Sequence, residues 1–162
     1  MYNVAVRMTG KKETAEDILQ DSFTRAFLEI HKLNDENAFG GWLKRIVINR
    51  CIDEIRKRKY YFSDFENISE QHTEIADEVD EKTDPEMVHQ LIKKLPDGAR
   101  EILVLHAIER MKHAEIAEKL QISESTSKTQ FFRAKQILKK MINELKNEDG
   151  TGKISERKQV KA

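Results

Sequence analysis

Residues 60–86 hold ten acids and a single base, Lys82, and carry a net charge of −9. No helical periodicity is sustained across them, and a run of like charge repels itself rather than closing around a core. These 27 residues therefore read as a linker, one that reaches about 90 Å when fully extended. Whatever packs must pack on either side of it. Residues 1–59 are net +3, residues 87–146 net +5 and the tail 147–162 net +1. The formal net charge of zero is thus a cancellation between segments, and local fields follow the segments.

The expected fold class is all-α: two small helical domains, 1–59 and 87–146, joined by the flexible acidic linker 60–86 and followed by a disordered tail, 147–162. With only 2 Pro and 6 Gly, and little alternation of β-branched with polar residues, an all-β design is excluded. No apolar run approaches a membrane span of about 18 residues, and no signal-peptide pattern opens the chain, so a cytoplasmic protein is expected. The lone Cys51 excludes an intramolecular disulfide framework and a cysteine-based zinc cluster. His31, His72, His89, His106 and His113 are scattered, with no HExxH, CxxC, GxSxG or Gly-rich phosphate loop. Enzyme chemistry, a metal and a cofactor have no support.

In the first module, Ala15, Ile18, Leu19, Ser22, Phe23, Ala26, Phe27 and Ile30 follow the spacing of an amphipathic helix, with Thr14 as its expected N-cap. Asp17, Gln20, Asp21, Thr24 and Leu28 share the other face, which is a polar docking surface or an ordinary solvated one. Asn34–Asn37 is a polar loop with turn chemistry. A second helix follows over about 39–59, with Leu43, Val47, Ile48, Cys51 and Ile55 inward. Arg45, Asn49, Asp53 and Arg56 form a stripe able to donate to phosphates and to hydrogen-bond base edges, with Asp53 available to orient Arg45 or Arg56. Phe39 and Trp42 beside it are core anchors or stacking platforms for an unpaired base.

In the second module, Leu95-Pro96-Asp97-Gly98 is a stop and restart. A short apolar helix follows at Ile102, Leu105 and Ala107/Ile108. Residues 112–120 then meet a tight Gln121-Ile122-Ser123 connection, and Ser123 is the expected N-cap of a long helix with Ser127, Phe131, Ala134, Leu138, Met141 and Leu145 on one face. This is a helix-turn-helix. The N-terminal half of its second helix exposes Ser125, Lys128, Thr129, Phe132, Arg133 and Gln136, the part that enters a major groove.

Ala15-Glu-Asp-Ile-Leu-Gln-Asp-Ser-Phe23, Phe39-Gly-Gly-Trp-Leu-Lys-Arg-Ile-Val-Ile-Asn49 and Asp53…Arg56 resemble region 2 of extracytoplasmic-function (ECF) sigma factors of bacterial RNA polymerase. Leu95-Pro96…Arg100-Glu-Ile-Leu, His113-Ala-Glu-Ile-Ala117 and Ile122–Ala134 resemble region 4 of the same family. The likeness covers roughly residues 2–145, in order. It implies a transcription-initiation subunit that binds core RNA polymerase and promoter DNA, and in this family an anti-sigma factor is a common further partner. Asp17, Gln20 and Asp21 match the part that docks on core polymerase. Asn34, Asn37, Arg45, Asn49, Asp53 and Arg56 match the elements that open and read the minus-ten element. Ser125, Lys128, Thr129 and Arg133 match the minus-thirty-five recognition helix. The acidic linker matches a segment that threads through core polymerase along a path used by nucleic acid.

Three departures from the family pattern stand out. A further helix usually precedes the Tyr2-Asn-Val-Ala segment, so the chain is expected to be short there, or its start to have been placed at an internal methionine. Arg110 and Gln121 stand where Gly is frequent; a positive φ at Gln121 costs about 1 kcal/mol relative to Gly. Ser127 replaces an apolar residue on the inner face of the recognition helix, which is expected to weaken packing there. The competing reading is a free-standing helix-turn-helix regulator.

Overall fold

The computed structural model describes residues 1–61 and 85–159. Seven α-helices occur among them and no strand: α1 (Tyr2–Thr9), α2 (Lys12–Glu29), α3 (Phe39–Tyr61), α4 (Pro85–Lys93), α5 (Asp97–Leu103), α6 (His113–Leu120) and α7 (Glu124–Gln159). Short 3₁₀ turns at Ile30–Lys32 and Glu36–Ala38 join α2 to α3, and a π-helical turn, Val104–Ile108, extends α5. Residues 62–84, the bulk of the expected linker, lie outside the described residues.

Helix α2 starts two residues earlier than Thr14, with Lys11 at the N-cap position and no side-chain cap. Its inner face also differs from expectation. Ala15, Ile18, Ser22 and Ala26 are buried, whereas Phe23, Phe27 and Ile30 are exposed. The cause is the packing of α1 and α3 on the small-residue edge of α2, where Ala15, Ser22 and Ala26 allow close approach. Ser22 satisfies its buried hydroxyl by donating to the Ile18 carbonyl at 2.6 Å. Helix α3 follows expectation more closely, with Leu43, Val47, Cys51 and Ile55 buried. Burial pushes the Cys51 thiol up to about 12, which identifies a core residue rather than a nucleophile.

Pro96 occupies the N-cap position of α5, as its restart predicts. Arg110 and Gln121 both adopt left-handed backbone, at φ 58 and 55. The Gln121 turn ends α6, and its amide reaches back to the carbonyls of Ala117 and Glu118. Helix α7 runs through the segment expected as a tail and reaches Gln159. No proline follows Pro96, and the two breakers, Gly150 and Gly152, each cost a helix only about 1 kcal/mol against about 3 for proline.

One apolar cluster joins both halves: Ala5, Met8, Ile18, Val47, Cys51 and Ile55 continue into Ile92, Ala99, Ile102, Leu105, Ile116 and Ala134. Charged contacts rim it. Lys44 lies 2.6 Å from Glu109, and Arg58 pairs with Glu101 and, at 3.1 Å, with Asp97. Buried Arg100 donates to the Thr9 carbonyl at 3.3 Å and to the Leu95 carbonyl at 3.2 Å. Its guanidinium lies against Gly10, where φ is +71 and any Cβ would sit 2.7 Å from Arg100 Cζ. That position therefore requires glycine twice over, for backbone conformation and for space.

Candidate nucleic-acid interface

The helix-turn-helix is built from local chemistry. The Lys112 amide donates to Glu115 at 2.8 Å and opens α6. The Ser123 hydroxyl accepts from the Thr126 amide at 3.0 Å and opens α7, the expected cap. Ile116, Ala117 and Leu120 of α6 are buried with Ala134 of α7, so the outer edge of α7 is fixed in direction. On that edge Ser125 and Lys128 are exposed, and Thr129 and Arg133 are half-buried. Lys128 pairs with Glu124 at 2.7 Å, one turn back, and that bond holds the Glu124 carboxyl below the usual carboxylate range. The recognition row therefore points away from the core with its cations accessible.

Ser127 departs from the packing defect expected of it. It is fully buried, and its hydroxyl lies 2.9 Å from His113 Nδ1. A polar pair replaces an apolar contact, so no hydroxyl is left unsatisfied. His113 is half-buried and meets Ser127 from 14 residues away, across the turn.

On α3 the expected stripe divides between two clefts. Arg45 and Asn49 line a cavity of about 510 Å³ between α3 and α6, together with Lys44, Glu109, Glu115 and Lys119. Lys119 Nζ donates to Asn49 Oδ1 at 3.2 Å. Asp53 instead lines a smaller cleft of about 180 Å³ between α2 and α3, beside Asp17, Asp21 and Arg50. Asp53 makes no ion pair with Arg45 or Arg56 among the described residues, so the orienting role expected of it is not seen; the ion pair across the α2–α3 cleft is Arg50 with Asp21. Arg56 is exposed. Phe39 and Trp42 lie with ring centroids 6.2 Å apart, Phe39 exposed and Trp42 half-buried.

The Asn34–Asn37 loop is exposed and is shaped by Asp35, whose Oδ1 accepts from the Asn37 amide at 2.9 Å and from Asn37 Nδ2 at 3.0 Å. Asn34 therefore stands free of this turn, while Asn37 is part of it. Asp17, Gln20 and Asp21 are exposed on α2. The residues sequence reasoning missed are the cross-contacts Lys44–Glu109, Arg58–Glu101 and Lys119–Asn49. Their only signal is a charged pair, Arg100-Glu101, standing inside an otherwise apolar run from Ala99 to Leu105. Among the described residues no three potential ligands gather to hold a metal, and no helix is long and apolar enough to cross a membrane.

Comparison with known proteins agrees with this geometry. The family model described as Sigma-70 region 2 matches residues 1–60, and that described as Sigma-70, region 4 matches residues 86–147. The chain is 35% identical over 157 residues to the ECF RNA polymerase sigma factor SigW of Bacillus subtilis, covering 90% of this chain and 84% of that protein. It is 32% identical to the ECF RNA polymerase sigma factor SigM of the same organism, with 92% of each chain covered. A solved structure of the sigma factor RpoE from Bartonella quintana, in complex with the anti-sigma factor NepR, shares the fold at a TM-score of 0.53 and 20% identity, over 88% of this chain and 89% of that one. Two matched regions in the right order, with relatives similar along nearly their whole length, leave one conclusion: the chain belongs to the ECF sigma factors of RNA polymerase.

Proposed function

We propose that this protein binds core RNA polymerase and directs promoter recognition, DNA opening and transcription initiation through two modules, 1–59 and 87–146, connected by the acidic segment 60–86. The observation that carries the reading is the pair of polar rows, on α3 and then on α7, each opposite a buried face of its own helix. Ser125, Lys128, Thr129 and Arg133 enter the major groove at the minus-thirty-five element, where Lys and Arg bond phosphates and guanine edges. Arg45, Asn49, Asp53 and Arg56, with Asn34 and Asn37, hold the opened minus-ten strand; extruding one base costs a few kcal/mol. Asp17, Gln20 and Asp21 present an anionic face to core polymerase. An anti-sigma factor is a partner class that would compete for these surfaces. The activity is one of binding, needs no catalytic group from this chain, and is exercised in the cytoplasm.

The test is transcription from a genome-derived promoter set by core polymerase with and without the protein. Defined start sites appearing only with the protein are expected. No gain over core alone sinks the proposal. Tight, specific duplex binding by the free protein, with no affinity for core, would favour the free-standing regulator instead.

A further inference from the structure

Three aromatic rings fill the angle between the two helices of the helix-turn-helix. His106, from the π-helical turn, stacks on His113 with centroids 4.0 Å apart and planes 21° from parallel. Phe131, one turn beyond Ser127 on α7, meets both edge-on, at 4.7 and 5.6 Å. His106 Nδ1 lies 2.8 Å from the Met111 carbonyl, which only accepts, so that nitrogen carries a proton. His113 Nδ1 faces the buried Ser127 hydroxyl at 2.9 Å. Ser127 is followed directly by Lys128 and Thr129, so the element that seats α7 lies one residue from the groups that read DNA.

The surroundings of His113 disfavour a second positive charge. Burial, then His106 and then Lys128 hold its imidazole below the ordinary histidine value; only Glu124 opposes them, and Glu124 is already engaged by Lys128. Lys135 Nζ lies 5.7 Å from the Phe131 ring centroid. A protonated His113 thus meets a stacked imidazole, Lys128 and one occupied carboxylate.

We propose that His113 is a positioning residue for minus-thirty-five recognition: it seats α7 through the Ser127 hydroxyl, which can donate to a neutral ring or accept from a charged one, and protonation loosens that seat by setting a charge against the stacked His106 and the nearby Lys128, which weakens duplex reading by Lys128, Thr129 and Arg133. The inference rests on the minus-thirty-five reading above and goes beyond it. It also predicts a sign opposite to the general one. Acid adds positive charge to histidines and by itself strengthens binding to phosphates. Here affinity falls as pH drops. Linkage limits the loss to about tenfold for each pH unit by which seating lowers the proton affinity of His113.

The experiment uses the protein in complex with core polymerase and two labelled probes from a promoter it selects, followed by fluorescence anisotropy between pH 8 and pH 5.5. One probe is a duplex carrying only the minus-thirty-five element; the other is the minus-ten single strand. The expected result is a duplex affinity that falls about three- to tenfold on acidification, with single-strand affinity level or rising. His113→Gln, which keeps a hydrogen-bonding side chain but cannot titrate, is expected to lose the acid-dependent fall, whatever its duplex affinity at pH 7.5. The pair His113→Phe with Ser127→Val tests the same point with an apolar seat; His113→Gln alone is decisive where that pair misfolds. A flat or rising duplex profile in the unaltered protein, or the same fall in His113→Gln, overturns the role of His113 only. No duplex binding at any pH, with single-strand binding intact, overturns the minus-thirty-five reading and this proposal with it.

Discussion

Helices α3 and α7 both carry a row of Arg, Lys, Asn or Thr opposite a buried face, yet the two rows are held differently. Among the described residues the α7 row is tied locally, through Lys128 with Glu124 and Ser125 with the Ser123 cap. Of the α3 row, Asn49 is engaged from outside by Lys119 of α6, and its neighbours on the helix are engaged too, Lys44 with Glu109 and Arg58 with Glu101. The state of the α7 row therefore depends on local chemistry, the Ser123 cap and the His113–Ser127 seat. That of the α3 row depends on how the two halves of the molecule sit against each other.

The largest expected effect tests whether the halves share a core. Ile55→Ala in α3 and Ile116→Ala in α6 each remove a fully buried side chain, and each is expected to cost about 2–5 kcal/mol. Urea unfolding followed by circular dichroism should show a single transition that moves in both variants. Two transitions, with only one displaced by each substitution, would separate the halves and break the comparison at its root.

Next in size is the DNA contact. Arg133→Ala is expected to weaken minus-thirty-five duplex binding by about 1–3 kcal/mol and leave core-polymerase affinity unchanged. Lys119→Ala releases Asn49 and should leave duplex binding as it was, without weakening the minus-ten strand. Anisotropy titrations of both variants sharpen the distinction between a free row and an engaged one. Equal losses on both probes for either variant would contradict it.

Smaller effects come from the backbone. Arg110 and Gln121 hold positive φ, so Arg110→Gly and Gln121→Gly are each expected to stabilise the second half by up to about 1 kcal/mol, read as a rise in denaturation midpoint. Loss of stability at either position would mean that side-chain contacts there outweigh the strain.

The smallest is a pH dependence. The folded state lowers the proton affinity of His113, so near its ordinary value of about 6.5 the unfolded chain binds more protons and stability rises with pH. The thermal midpoint should therefore drop as pH falls through that range, and His113→Gln should flatten the drop. A midpoint that climbs on acidification of the unaltered protein would show that its pH dependence is set elsewhere.

Much of this was legible in the chain. The all-helical class, the inward residues of α3, the restart at Pro96 and the Ser123 cap each follow from a short-range rule: periodicity, proline geometry, a hydroxyl acceptor; the positive φ at Gln121 is flagged by the family resemblance, which has Gly there often. The expectation failed where the outcome depended on which neighbour arrived. Phe23, Phe27 and Ile30 satisfy the same periodicity as Ala15, Ile18 and Ala26, but α1 and α3 cover only the small-residue edge of α2. Ser127 looked like a packing defect because its partner, His113, lies on another helix.

Local pattern and motif order thus decide most of the helices, the Ser123 cap and the family, because each rests on residues within a few positions of one another. Tertiary structure decides which charges meet. Arg100 with Thr9, Arg58 with Glu101, Lys119 with Asn49 and His113 with Ser127 join residues separated in the chain by between 14 and 91 positions. No periodicity encodes such pairs. Burying the shared apolar cluster takes Arg100, Glu101 and Ser127 out of water, where a polar group must find a partner or carry a large desolvation cost.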